Sequence, residues 1–289
     1  MYSEPRRVRA TPAMVARLRK PVEAHKYTHG HALVLSGGAG RTGAAWLSAR
    51  GALRVGAGLV TLGVPPSAQM EVAMQITAIM LRRVADADAL AALLEDPRIT
   101  ALCMGPGMGV ERSAALLPVA LAKGLPLVLD ADALTALAGD KDLQAGLHAQ
   151  CVLTPHEGEF ARLAPDLANG LRDEPNNEPK NAISRAAIVR EAAKNLGCTV
   201  LLKGPQTLVA RPDGACSLHE AHTPWLATAG SGDVLAGLIA GLLARGLDTL
   251  SAAETATYLH AEAARSFGPG LIAEDIPDAL PEVLNSMGV

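Results

Sequence analysis

With 289 residues the chain can form one large α/β domain or two small ones, and a net charge of −3 removes the electrostatic case for nucleic acid. No apolar run approaches the roughly 18–20 residues that span a bilayer, so no membrane partner is expected and the chain reads as cytoplasmic. Hydrophobic residues make up 49% and aromatics 2%, which requires an aliphatic core, while Cys103, Cys151, Cys198 and Cys216 lie far apart and read as buried free thiols.

The first 24 residues carry Arg6, Arg7, Arg9, Arg17, Arg19 and Lys20 in a modest, interrupted run. That run reads as a solvated leader ahead of a single domain over 25–289. His25, His29 and His31 follow with no cysteine or second acid beside them, and no metal site is assigned. Residues 32–35 read as a strand. Ser36-Gly37-Gly38-Ala39-Gly40-Arg41-Thr42-Gly43 then forms a glycine-rich loop opening a helix over 42–55. The loop lacks the GK[ST] of a Walker A loop, so close packing and ligand approach stay open for it. A strand at 59–62, a helix at 87–94 and a strand at 101–104 lead to the sharp turn Gly105-Pro106-Gly107-Met108-Gly109 and a helix at 112–122. A strand at 127–129 ends in Asp130-Ala131-Asp132, where a helix over 132–137 begins.

The strand at 151–153 ends in Thr154-Pro155-His156-Glu157-Gly158-Glu159, whose acids start another helix. His156 is there either a ligand group or a structural one. The polar stretch 166–181 reads as a surface loop. A helix at 185–196 and a strand at 200–202 end at Lys203-Gly204-Pro205-Gln206-Thr207. Lys203 could meet a phosphate as a point charge or stand in solvent, and Thr207 could bond a nucleotide. Runs at 207–210 and 216–218 flank a Pro-Asp-Gly turn, which makes an antiparallel edge hairpin. The remainder is helical, at 234–244, 251–267 and 276–284.

Short strands apolar on both faces, alternating with helices, specify an α/β fold with a mostly parallel sheet covered on both sides. Ligands of such sheets sit at the carboxyl ends of the strands. Glycine or polar residues follow five of these strands at that end, and together they outline one crevice. Thr228-Ala229-Gly230-Ser231-Gly232-Asp233 opens directly into the apolar run from Val234. The N–H groups of Ala229, Gly230, Ser231 and Gly232, at the positive end of a helix, form an anion nest. Asp233 at its mouth either takes a proton from a hydroxyl or merely complements the helix dipole.

Several of these stretches occur together in a known order: HK-x3-G from His25, GPGMG from Gly105, LTPHEGEF from Leu153, LLKGPQT from Leu201 and TAGSGDVLAG from Thr228. From about His25 to its last residue the chain closely resembles the ADP-dependent NAD(P)H-hydrate dehydratases of the ribokinase-like superfamily. The resemblance implies a ribokinase-like fold and a lyase that acts on the S epimer of hydrated NADH or NADPH. ADP, or ATP in its place, would serve as co-substrate with Mg²⁺, and AMP and phosphate would be released. Asp233 would be the catalytic base. Lys203, Gly204, Pro205, Gln206, Thr207 and Gly232 would hold the adenine nucleotide. Ala45, with Ala44 as the neighbouring register, would contact the hydrated dinucleotide together with Gly107, His156 and Asp233.

The resemblance also implies a homotetramer and a separate NAD(P)H-hydrate epimerase, since 24 residues are too few for an epimerase domain. Ala39-Gly40-Arg41, His31 and a long 166–181 segment depart from the family pattern, and none touches the nest. Two alternatives share the nest. One is a small-molecule kinase for a hydroxymethylpyrimidine or hydroxyethylthiazole alcohol, and the other a non-catalytic nucleotide-binding protein.

Overall fold

The computed structural model describes residues 4–173 and 178–289. Its strands are β1 (Arg6–Arg7), β2 (His31–Leu35), β3 (Leu59–Val64), β4 (Met80–Arg83), β5 (Ala101–Met104), β6 (Leu127–Leu129), β7 (Cys151–Leu153), β8 (Arg172–Asp173), β9 (Glu178–Pro179), β10 (Thr199–Leu202), β11 (Gln206–Ala210) and β12 (Cys216–Glu220). The helices are α1 (Pro12–Leu18), α2 (Gly43–Arg54), α3 (Gln69–Ala73), α4 (Ala87–Leu93), α5 (Val110–Ala122), α6 (Ala131–Ala138), α7 (Lys141–Ala145), α8 (Glu157–Leu163), α9 (Pro165–Ala168), α10 (Ala182–Leu196), α11 (Ser231–Ala244), α12 (Thr249–Phe267) and α13 (Asp275–Ser286).

Ten strands form one sheet in the order β1-β12-β11-β10-β7-β6-β5-β2-β3-β4. The run from β10 to β4 is parallel throughout, and β11 is antiparallel to both β10 and β12. This is the expected parallel sheet with an edge hairpin. Alternation along the strands explains why both faces are covered. Ala32 and Val34 of β2 join one apolar cluster with α2, α11 and α12, whereas Leu33 and Leu35 join another with α4, α5 and α6. Phe160, helix α10 and the β10–β12 strands close a third cluster. All four cysteines are buried and free.

Three expectations change. Residues 4–24 are largely exposed, as a solvated leader would be, but they pack on the domain through a few contacts. Arg6 and Arg7 pair in parallel with Ser217 and Leu218 of β12, and Leu18 of α1 is 2% exposed in the main core. Arg6 and Arg7 stay exposed and also pair with carboxylates, Arg6 with Glu254 and Arg7 with Glu220. The 166–181 stretch is not simply a surface loop. It holds part of α9, a 3₁₀ turn with Leu171 buried, and the small β8–β9 pair; its residues 174–177 lie outside the described ones. Strand β4 was missed because Met-Leu-Arg-Arg is neither alternating nor apolar; it is an edge strand, largely exposed.

Glycines set the spacing between layers. A Cβ on Gly237 of α11 would lie 2.0 Å from Ser48 O of α2, and one on Gly51 of α2 would lie 2.9 Å from Val234 O. The two helices therefore approach backbone to backbone, which only small residues permit. Gly58, which leads into β3, packs in the same way on Lys26 O of the HK-x3-G stretch.

Candidate active site

The loops that follow β2, β5, β6, β7 and β10 converge on the start of α11. Gly37 and Gly107 touch, since a Cβ on Gly37 would stand 2.0 Å from Gly107 O. Gly105 packs on Asp130 O in the same way. Gly105, Gly107 and Gly109 all have positive φ, at 115°, 65° and 83°, so the turn GPGMG needs glycine at each of these positions. Asp132 Oδ2 accepts from Gly109 N at 2.8 Å and ties this turn to α6. Arg112 holds the neighbouring loops together by donating to Ser36 O, Ala85 O and Val84 O. Glu71 accepts from Gly40 N at 2.7 Å and from the Thr42 hydroxyl, which fixes the glycine loop before α2.

The nest is present as an arrangement of unpaired donors. Gly230 caps α11 at φ 89°, and no side chain caps this helix. Among the described residues, the N–H groups of Ala229, Gly230, Gly232 and Asp233 donate to nothing, while Ser231 N reaches Thr228 O at 3.4 Å. Orphan N–H groups at a helix start are a ready anion site. The turn itself is anchored from behind. Ser231 Oγ donates to Leu226 O at 2.7 Å, and His260 Nε2 donates to Ser231 O at 2.9 Å. Burial holds the His260 pKa down to about 4, so the imidazole is neutral and keeps this single orientation.

Asp233 stands in the first turn of α11, and its backbone carbonyl accepts from Ser48 Oγ at 2.8 Å. Its carboxyl pKa is pushed up to about 6, first by burial and then by the Asp130 carboxylate; Lys203 opposes, and Asp132 and Glu159 add to the rise. A carboxylate of that pKa is ionised at neutral pH and still basic enough to take a hydroxyl proton.

Lys203 reaches this point from the end of β10. Its Nζ lies 2.6 Å from Asp130 Oδ1 and 3.9 Å from Glu159 Oε2, and a Cβ on Gly232 would be 3.4 Å from it. The lysine is thus neither in open solvent nor a free point charge. It neutralises a buried aspartate whose Oδ1 also accepts from Thr154 Oγ1 at 2.9 Å.

His156 has the structural role that the sequence left open as one of two readings. It is the N-cap of α8, where its Nδ1 accepts from Gly158 N and Glu159 N at 3.0 and 3.2 Å. Glu159 returns the bond by accepting from His156 N. With Nδ1 as acceptor the neutral ring carries its proton on Nε2, and the side chain is more than half exposed. Ala44 and Ala45 separate clearly. A Cβ on Gly107 would lie 3.2 Å from Ala44 Cβ, whereas the Ala45 side chain is fully buried in the core. The side chain that fronts the crevice is therefore Ala44, because Ala45 points toward the sheet.

A cavity of about 720 Å³ opens beside the nest. Lys203, Gly204, Pro205, Gln206, Thr207, Ser231 and Gly232 line it, as do His219, His222, Leu226 and His260, which sequence reasoning missed. The size suits a mononucleotide. None of the four carried a local hint in the sequence; His222 has φ 48°, a left-handed conformation in which Asn, Asp and His are the side chains most often found. Asp130, Asp132 and Glu159 were visible as strand-end residues, but their mutual approach was not. Among the described residues no group of three or more His, Cys, Asp or Glu is placed to hold a metal ion. His25 and His31, close in sequence, bond separate partners, Thr28 and Thr61.

Comparison with known proteins adds to this geometry. A family model described as NAD(P)H-hydrate dehydratase matches residues 32–281. The bifunctional NAD(P)H-hydrate repair enzyme of Moorella thermoacetica is 39% identical over 287 residues, covering 93% of this chain. The chain spans about half the length of that relative, 52%. The ADP/ATP-dependent NAD(P)H-hydrate dehydratase of Bacillus subtilis, co-crystallised with ATP/Mg²⁺, superposes with a TM-score of 0.79 at 28% identity over 99% of this chain and 100% of that one. A ribokinase-like superfamily protein of Enterococcus faecalis superposes at 0.81 with 23% identity, covering 99% and 98%, and shares the fold.

Proposed function

The chain belongs to the NAD(P)H-hydrate dehydratase family, and from that premise we propose that it dehydrates the S epimer of hydrated NADH or NADPH at the expense of ADP. The observation that carries the reading is the juxtaposition of unpaired nest N–H groups with a carboxylate of pKa about 6. Hydroxide is a poor leaving group, whereas phosphate is a good one. Asp233 takes the proton of the C6 hydroxyl as that oxygen attacks the β-phosphorus of ADP. The bond from phosphorus to the bridging oxygen breaks and AMP leaves. The nest N–H groups stabilise the oxygens of the transferring phosphoryl group. The ring nitrogen lone pair then expels phosphate by cleavage of the C6–O bond, and loss of a C5 proton restores the dihydronicotinamide.

Lys203, Gly204, Pro205, Gln206, Thr207 and Gly232 are assigned to the nucleotide, supported by their shared cavity. Gly107, His156 and Ala44 are assigned to the hydrated dinucleotide, with Ala45 contributing through its backbone. Asp130, Asp132 and Glu159 all act on Asp233, with Lys203 as the opposing cation. Net negative charge repels a nucleotide, so Mg²⁺ is proposed to enter with the phosphates, keeping waters in its shell. Residues 25–289 are proposed to act as one catalytic unit on which 4–24 are docked. A homotetramer is proposed too, and a light-scattering mass of 29.8 kDa at micromolar concentration would reject it. An epimerase activity that interconverts the two hydrate epimers is proposed as the companion reaction. No helix among the described residues is long and apolar enough to cross a membrane, and a cytoplasmic location is proposed.

The test is to incubate the protein with S-hydrated NADH and ADP or ATP and to follow absorbance at the reduced-nicotinamide band. Recovery of NADH with release of AMP is expected with ADP. Absence of recovery with either nucleotide would sink the dehydratase reading. Phosphorylation of a pyrimidine or thiazole alcohol under the same conditions would install the kinase in its place.

A further inference from the structure

A larger cavity, about 900 Å³, lies on the far side of α2 and shares no residue with the nucleotide cavity. Trp46, Arg50, Leu53 and Arg54 line it at intervals of four, three and one, which puts them on one helix face, opposite the Ala45, Ala49 and Ala52 face turned to the core. The end of α13 and residues 18–20 close the other walls. Its charged side chains are of one sign, and the α-carboxylate of Val289, the last residue of the sequence and also in the lining, forms no ion pair with them among the described residues. Lys20, Arg50, Arg54 and Arg245 line the cavity, and no Asp or Glu side chain does.

Their partners do not cancel this charge. Arg50 and Arg54 share one oxygen, Asp278 Oδ1, at 2.6 and 3.1 Å. Arg245 spends its donors on carbonyls, Val55 O and Leu18 O at 2.7 Å each and Arg17 O at 3.0 Å, which satisfies its hydrogens and leaves the charge. Lys20 makes no hydrogen bond or ion pair among the described residues. Lys20 and Arg245 converge on Gly56, where a Cβ would lie 2.8 Å from Arg245 Nη1 and 3.1 Å from Lys20 Cε. The Lys20 pKa is lowered, by burial first and then by Arg245. Two converging cations, neither paired with a carboxylate among the described residues, repel each other, and a bound anion removes that cost. Beside them the wall is apolar, formed by Trp46, Leu53, Ile79 and Leu284.

We propose that this cavity is a second binding site, for a small organic phosphate whose anionic group meets Lys20 and Arg245 and whose apolar ring lies along Trp46 and Leu53. The proposal is independent of the reaction at the nest. The volume is that of a cofactor-sized site. The wall combines the two features such ligands require, a cationic end and an aromatic side.

Calorimetric titration of the full chain with 1-naphthyl phosphate, with saturating ADP to occupy the nest, tests it. One saturable site is expected, with at least tenfold weaker binding of 1-naphthol, which lacks the charge, and of inorganic phosphate, which lacks the ring. Lys20→Glu is expected to weaken binding at least tenfold while leaving ADP affinity unchanged. Arg54→Glu, at the exposed rim, serves as the second variant should Lys20→Glu fail to fold. Trp46 fluorescence in a Trp225→Phe background is expected to change on titration, which places the ligand at this wall. Absence of saturable binding, or affinity unchanged by charge reversal, would overturn the proposal.

Discussion

Asp233 and Lys203 illustrate how one site uses burial twice. Burial and the Asp130 carboxylate raise the Asp233 pKa to about 6, well above the usual carboxylate range. The acidic limb of kcat/KM is therefore expected near pH 6, with a tenfold loss per unit below it, and a flat profile down to pH 4.5 would exclude Asp233 as the base. The same shift acts on stability. A carboxyl whose folded pKa is raised contributes stability that is complete below its unfolded value, near 4, and is lost as pH rises through 6. Asp233→Asn is thus expected to abolish turnover and to gain on the wild type by on the order of 2 kcal/mol at pH 8, a gain that vanishes near pH 4. Thermal melts at the two pH values measure it. Lys203 carries a second consequence, because Asp130 is 1% exposed. Lys203→Ala leaves that carboxylate buried and uncompensated, at a cost of about 3 kcal/mol, as well as weakening nucleotide binding. Lys203→Ala with Asp130→Asn is expected to recover the stability and not the nucleotide affinity, as read by melts and ADP titration.

Helices α2 and α11 are the elements that hold the nest in place. Their backbones meet at Gly237 and Gly51, and Ser48 bonds the carbonyl of Asp233 across the contact. A methyl on Gly237 would fall 2.0 Å from Ser48 O, so Gly237→Ala must push the helices apart. The expected result is a loss of about 2 kcal/mol in urea unfolding together with a fall in kcat, because the first turn of α11 moves with its helix. Gly246→Ala is the control: a Cβ there meets no atom within 4 Å, although its φ of 89° carries a strain cost of its own. Equal kcat values for the two variants would show that the α2 contact does not position the nest. At this scale the sequence was a good guide where apolar runs are long. The strands of the sheet interior and the principal helices follow from periodicity alone. It failed for β1 and β4, since edge strands bury little and carry no hydrophobic signature.

At the scale of the molecule, the cavity proposed for the nucleotide is assembled from β11, β12, α11 and α12, which are also core elements. A nucleotide bound there would be linked to global unfolding. ADP at a hundredfold excess over its Kd is expected to stabilise the chain by about 2.7 kcal/mol, visible as a rise in Tm. An unchanged Tm at saturating ADP would remove the nucleotide from this cavity.

The glycine-rich nest, the acid at its mouth, the lysine at the end of a strand and the parallel α/β plan were all determined by the sequence itself, because turns, caps and apolar periodicity are local. The encounter of Lys203 with Asp130, the raised pKa of Asp233, the choice of Ala44 over Ala45 and the cationic cavity behind α2 were decided only by the tertiary structure. Each of these depends on which surfaces come within a few ångströms, and on how much water that approach removes.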